Sequence, residues 1–282
     1  MLSRHPFNCQ QADCAWVRHQ PSLMALEAEL DGARWLRQLS PGRPTAEGFS
    51  ATFPHRLGNY YEQVVNHILI LSGYFVDIKR NIQVFDGRRT VGEFDFLLRD
   101  RQQQVHHLEC AIKFYLCVGA GDRLSDYIGP GRRDRLDLKW HKMRSQQIEL
   151  AYSQAGRQRC QELGLVPSRY HLLIQGMLFY RWGDIPTQLA PELSPQHSRG
   201  WWLARAESSR LLADCDAVQI RRKPDWLSHW CRAPEENWRD QLEVLTGPQL
   251  FSRLVTDGDS PTGWREKDRG FIVPDEWQAL PL

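Results

Sequence analysis

The chain reads as an α/β protein, a mixed sheet flanked by helices. A stretch of helical period gives way to three strand-length runs in succession. A second helical passage and a mostly apolar run of strand length then follow, with glycine or aspartate at several of the breaks. Helix stripes recur every three to four residues and strand faces every second residue, so each change of period marks a change of element.

Residues 1–50 read as an irregular start and then a helix over Ser22–Leu39, with Pro21 placed to open it and Pro41-Gly42 to close it. Gly58–Leu71 is helical, with Tyr61, Val64, Val65, Ile68 and Leu69 as its apolar stripe and Ser72-Gly73 as its stop. Tyr74–Phe85, Val91–Arg99 and Val105–Leu116 read as strands, the first with a break near Arg80; Asp86-Gly87 and Asp100–Gln104 are the turns. The glycine-rich loop Gly119–Gly131 leads into one helical stretch, Asp134–Leu163, ended by Gly164. Leu136, Trp140, Met143, Gln147 and Leu150 line one of its faces. Tyr170–Tyr180 is a largely buried strand. Beyond Arg181, Pro186, Pro191 and Pro195 mark a loop, and Gly200–Ala204 and Ala217–Arg222 are short strands. Trp201, Trp202, Trp226, Trp230, Trp238, Trp264 and Trp277 supply surface for a small core there. The expected divisions are an N-terminal helical extension (1–50), a core (51–182) and a C-terminal Trp-rich elaboration packed on it (183–282).

A chain of 282 residues can bury a large core as one elaborate domain. The formal net charge of +2 selects no partner. Lysine occurs only at positions 79, 113, 139, 142, 223 and 267, so arginine, suited to bidentate phosphate contacts, supplies most of the positive charge. The 7 cysteines are odd in number and form no Cys-x-x-Cys pair, which points to a reducing compartment and not to a disulfide framework. Cys9 and Cys14, near His5 and His19, fit no standard zinc spacing. The start lacks a signal-peptide pattern, and no apolar run approaches the ~20 residues that cross a bilayer. A soluble, cytoplasmic protein is the expectation. Phosphate-loop, nucleophile-elbow and His-Glu-x-x-His signatures are absent.

The chemistry gathers on the second and third strands. In Gly92–Leu98, alternation puts Phe94, Phe96 and Leu98 on one face and Glu93, Asp95 and Leu97 on the other. In His107–Phe114, Leu108, Cys110, Ile112 and Phe114 point one way, and Glu109, Ala111 and Lys113 the other. A carboxylate buried without a partner is costly. Asp95 and Glu109 lie on neighbouring antiparallel strands, where facing side chains sit ~5 Å apart, a span that a hard divalent cation bridges. The Lys113 ammonium, on the same face, is suited to orienting a water and offsetting charge on phosphorus. Glu62, on the helical line Gly58, Glu62, Val65, Leu69, leans towards the same place. The competing reading is a cross-strand ion pair for Asp95, Glu109 and Lys113, with Glu62 a solvated helix charge. Glu93 reads as a strand-entry charge and His106-His107 as a turn-to-strand entry.

After the glycine-rich loop, Arg132, Arg133, Arg135, Lys139 and Lys142 are spaced to follow a phosphate backbone. The alternative is a solvated face on which Asp134, Arg135, Asp137 and Lys139 pair. Gln146 and Gln147 are placed to face the sheet and hydrogen-bond the strand lysine.

The order helix, three strands, helix, strand resembles the PD-(D/E)XK nuclease superfamily. A glutamate on the first helix, Gly-x-x-Asp on the second strand and a glutamate-lysine set on the third add to the resemblance. Several phrases are similar, more narrowly, to one bacterial domain-of-unknown-function family placed in that superfamily, number eighteen fifty-three of its series. They are Leu57-Gly58-Asn59-Tyr60-Tyr61-Glu62, Gly92-Glu93-Phe94-Asp95-Phe96-Leu97, Leu108-Glu109-Cys110-Ala111-Ile112-Lys113-Phe114-Tyr115, Ile128-Gly129-Pro130, His197-Ser198-Arg199-Gly200-Trp201-Trp202 and Arg269-Gly270-Phe271. The resemblance implies a restriction-endonuclease-like sheet with residues 51–182 as its core. It implies Asp95 as the metal-binding aspartate, Lys113 as the lysine at the reacting phosphate, and Glu62 as the helix glutamate that contacts metal through water. One position departs: the superfamily has glutamate two residues before the lysine, where this chain has Ala111, and Glu109 must reach down the strand to replace it.

The expectation is a phosphodiester hydrolase dependent on Mg2+ or Mn2+ and acting on nucleic acid, DNA ahead of RNA, with no membrane partner. Asp95, Glu109 and Glu62 would hold the metal, and Lys113 would support the attacking hydroxide. The alternative, favoured by Ala111, is a catalytically inactive nuclease-fold module that binds nucleic acid or a partner protein.

Overall fold

The computed structural model describes residues 7–39, 56–234 and 237–279. The first helix, α1, is Phe7–His19, in place of the irregular start expected there. Its inward residues include polar Gln10 and Asp13, which blur the apolar period. Asp13 instead accepts hydrogen bonds from Tyr60 Oη at 2.7 Å and the Ser228 amide at 3.1 Å. The helix expected over Ser22–Leu39 shrinks to α2, Gly32–Gln38. Residues 22–31 spend their backbone on tertiary pairing: the Leu23 amide bonds Ile174 O at 2.8 Å, Met24 bridges Leu193 and Asp31 bridges Leu172. Asp31 then caps α2, accepting from the amides of Ala33 and Arg34 at 3.0 and 3.1 Å. The Pro41-Gly42 stop and His5 lie outside the described residues.

Helix α3, Leu57–Ser72, buries the expected stripe and ends on Gly73 in the left-handed region (φ 60°). Strands β1 (Phe75–Asp86), β2 (Arg89–Asp100) and β3 (Val105–Cys117) form an antiparallel meander. The break expected near Arg80 coincides with Asn81, at φ 54°. A short β4, Tyr127–Ile128, pairs with the end of β3. The single helix expected over Asp134–Leu163 is instead a broken passage. It runs as α4 (Leu136–Lys142), a π turn (Met143–Gln147), a 3-10 turn (Ile148–Tyr152) and α5 (Gln154–Glu162). Ser153 restarts the helix as a cap, accepting from the Gly156 amide at 3.0 Å.

Strand β5, Arg169–Arg181, lies parallel to β3. Its Gly176 has φ 137°, and a Cβ there would sit 1.7 Å from the Lys113 carbonyl oxygen. Only glycine permits that approach. Strands β6 (Arg199–Ala204), β7 (Ala217–Arg221), β8 (Gln249–Thr256) and β9 (Trp264–Val273) extend the same sheet, and α6, Trp238–Glu243, packs on its far end. The result is a mixed, 9-stranded sheet of order β1-β2-β3-β5-β6-β9-β8-β7, with β4 alongside β3. Of the C-terminal tryptophans, Trp202 and Trp277 join the main core under α3 and Trp201 and Trp238 the far cluster, while Trp230 and Trp264 are half-buried outside both.

Two layers cover the central strands. Leu108, Cys110, Ile112 and Phe114 of β3 pack beneath α3, and Ala111, Tyr115 and Cys117 pack against Leu136, Met143 and Ile148 of the broken passage. No helix among the described residues is long and apolar enough to cross a membrane.

Candidate functional site

The ladder between β2 and β3 runs from Arg99 opposite Val105 to Phe96 opposite Leu108. Beyond Phe96, side chains take over from backbone. Asp95 Oδ2 accepts from the Cys110 amide at 2.9 Å, and the Asp95 amide donates to Glu109 Oε1 at 3.3 Å. This interrupts the alternation of β2, and it corrects the expectation that Phe94, Phe96 and Leu98 share a face. Phe96 and Leu98 pack under α3, whereas Phe94 packs with Leu97 and Leu150 and sets its ring edge-on to His107 at 4.9 Å.

Glu109 is fully buried and both its oxygens are engaged. Oε1 meets His107 Nε2 at 2.7 Å and Oε2 accepts from Gln147 Nε2 at 2.6 Å. Burial pushes His107 down to about 4, so the ring is neutral. Its proton belongs on Nε2, facing Glu109, which leaves Nδ1 buried without a hydrogen-bond partner. Gln147 in turn accepts from Lys139 Nζ at 3.0 Å. A chain of contacts thus runs from Lys139 through Gln147 to Glu109.

Asp95 is the carboxyl whose charge or neighbours link the others here. Burial, and then the charge of Glu109, raise Asp95 to about 7. Burial likewise raises Glu109 to about 7 against the Asp95 amide and Lys139. Glu62, on α3, is raised to about 7 by burial and then by Asp95 and Glu93, against Arg80. Burial, and then Lys113, lower Lys139, while Asp95 and Glu109 pull it back up.

The structure brings Asp95 and Glu109 together, sets Glu62 within electrostatic reach of Asp95, and gives Lys113 a different partner. Lys113 Nζ pairs with Asp134 Oδ2, and among the described residues no ion pair joins it to Glu109. Gln147 does hydrogen-bond a lysine, but that lysine is Lys139. The signal for this was present in the sequence. Lys139 lies three residues after Leu136 and four before Met143, both buried, so it occupies the inner stripe of α4.

Asp95 opens onto a cleft of about 450 Å³. Thr90 to Glu93 of β2 form one wall, and Lys142, Gln146, Gln147 and Leu150 form the other. The remaining basic residues are unequal. Arg132 lies over the Trp277 ring at 5.1 Å, and Arg135 holds Asp137 through two contacts of 2.6 and 2.8 Å. Arg133 and Lys142 are exposed. Helix α4 is only 7 residues long and carries no side-chain cap.

The donor set can be judged by its chemistry. Among the described residues, no group of 3 or more His, Cys, Asp or Glu side chains is spaced to hold a metal ion. That rules out an all-protein cage among these residues. Mg2+ is commonly held by one or two carboxylates, with water and substrate phosphate completing its shell. Asp95, at the cleft, is the carboxylate open to that pattern, Glu62 lies within its electrostatic reach, and Glu109 stands behind as a charge and not as an open ligand.

A family model described as "Domain of unknown function (DUF1853)" matches residues 1–273. No curated protein and no solved structure matches the chain.

Proposed function

We propose, for a chain that belongs to the DUF1853 family of unknown function, a Mg2+- or Mn2+-dependent phosphodiester hydrolase acting on nucleic acid, built as a restriction-endonuclease-like sheet. One observation carries the reading. A part-buried aspartate opens onto a cleft, is raised by the charge of a second, fully buried carboxyl and lies within electrostatic reach of a third. Only a proton or another cation relieves such a cluster.

Asp95 and Glu62 are the residues that would hold the ion. When bound, the ion lowers the pKa of water and screens phosphate charge. The chain's own groups do the rest. Glu109, fixed by His107 and Gln147, keeps negative potential behind Asp95. Lys142 on the opposite wall attracts a backbone phosphate into the cleft, and exposed Arg133 extends that attraction. The test is incubation of wild type and Asp95→Asn with single- and double-stranded DNA and RNA, with Mg2+ or Mn2+. Metal-dependent cleavage by wild type alone supports the reading.

A second reading has its own support. Position 111 is alanine and both Glu109 oxygens are committed inward, as in a nuclease scaffold retained for binding. Salt-sensitive binding of nucleic acid without cleavage under any of these conditions favours it.

A further inference from the structure

We propose that Lys139, rather than Lys113, is the lysine that serves the Asp95–Glu109 pair, as a positioning residue acting through Gln147. Its part in catalysis rests on the hydrolase reading; its electrostatic part does not.

The two lysines approach the site from different elements. Lys113 stands on β3, where Gly176 lets β5 close against its backbone, but its ammonium turns to Asp134 at the entry to α4. That contact neutralises it away from the carboxylates. Lys139 comes from α4, on the stripe that faces the sheet. Its ammonium bonds Gln147 Oε1 at 3.0 Å, and the amide nitrogen of the same side chain bonds Glu109 Oε2 at 2.6 Å. A primary amide has one acceptor and two donors, so an ammonium on its oxygen obliges its nitrogen to face Glu109. Lys139 therefore sets the orientation of Gln147 and, through it, the orientation of Glu109.

Charge points the same way. The carboxyls of Asp95 and Glu109 both feel Lys139 as their stabilising cation, and it feels them in return. Lys113 enters that balance as a like charge repelling Lys139. The π turn that follows α4 brings Gln147 into line between Lys139 and β3, and such turns recur at functional sites.

The experiment uses the full chain as wild type, Lys139→Met, Lys139→Arg and Lys113→Met. Mg2+ affinity is measured by calorimetry at pH 8.5, above the titration of the carboxyls. Removing a positive charge beside the carboxylates leaves them more negative, so Lys139→Met should bind Mg2+ about tenfold more tightly. Lys139→Arg should match wild type, and Lys113→Met should change the affinity less than Lys139→Met does. In cleavage, Lys139→Met should lose about 100-fold in kcat with little change in KM, Lys139→Arg should recover most of it, and Lys113→Met should lose less. Tighter metal with slower turnover is not what a folding defect produces. Lys139→Gln carries the same expectation should methionine unfold the chain. Unchanged Mg2+ affinity in Lys139→Met, including no measurable binding by either protein, overturns the proposal, as does an equal or larger change in Lys113→Met. Wild type that binds Mg2+ but cleaves nothing removes the hydrolase reading alone, and the affinity comparison still decides the role of Lys139.

Discussion

Asp95 Oδ2 accepts the Cys110 backbone amide at 2.9 Å, so a side chain stands where β2 would otherwise offer a carbonyl. One hydrogen bond thereby ends the β2–β3 ladder and fixes a carboxylate at the mouth of the opening. The same bond favours the ionised form of Asp95, yet burial and Glu109 outweigh it.

Stability should depend on this balance. Asp95, Glu109 and Glu62 titrate at about 7 in the folded chain, above ordinary carboxylates. A raised folded pKa gives stability that is complete below the unfolded value and is lost as pH rises through about 7. Asp95→Asn should therefore raise the metal-free melting temperature at pH 8 by about 5 °C and change it little at pH 4. Equal shifts at both values would contradict the assignment.

The histidines work in the opposite sense. Burial lowers His107 to about 4 and His171, stacked on Trp35 at 4.2 Å, to about 3. Their contribution is complete above the unfolded value near 6.5 and is lost as pH falls towards 4. Replacing His171 with Gln should flatten the acid limb of a stability–pH curve; an unaltered limb would show that other groups set it.

Metal binding should release protons, because an ion that takes Asp95 displaces the proton that its raised pKa retains. Mg2+ should stabilise the fold more at pH 8 than at pH 6, and a hundredfold excess over Kd adds ~2.7 kcal/mol, read as a higher melting temperature. Asp95→Ala should abolish that effect. A Mg2+ response equal at both pH values would separate the ion from the carboxyl pair.

Nucleic-acid binding should rest on the exposed cations. Arg133→Ala and Lys142→Ala should each reduce the slope of log K against log salt by about one. Arg135→Ala should leave it nearly unchanged, since Asp137 already holds that guanidinium. Equal slopes for all three variants would place the phosphate contacts elsewhere.

Where apolar period and turn chemistry agree, the sequence reads as it folds. Helix α3, strands β1 to β3 and β5, and the stops at Gly73 and Gly164 are of this kind. Legibility fails where inward residues are polar. Strands β8 and β9 bury Ser252, Arg253, Glu266 and Arg269, joined by contacts such as Arg221 Nη2 to Glu266 Oε2 at 2.5 Å, so no apolar alternation announces them. In α1, buried Gln10 and Asp13 have the same effect. At the site, Asp95 and Glu109 stood out as acids within apolar strands. The partner of Lys113 did not, because Asp134 lies beyond a loop whose path only tertiary packing decides. Lys139 sits at inner-stripe spacing from Leu136 and Met143, but in sequence it reads as one of a basic run.

The most direct measurement of the central claim is single-turnover cleavage of end-labelled DNA by wild type and Asp95→Asn across a Mg2+ titration. Wild type should cleave at a rate that saturates with Mg2+, with Asp95→Asn slower by about 100-fold or more at every concentration. Equal rates in the two proteins, or no cleavage by wild type at saturating Mg2+ or Mn2+, would contradict it.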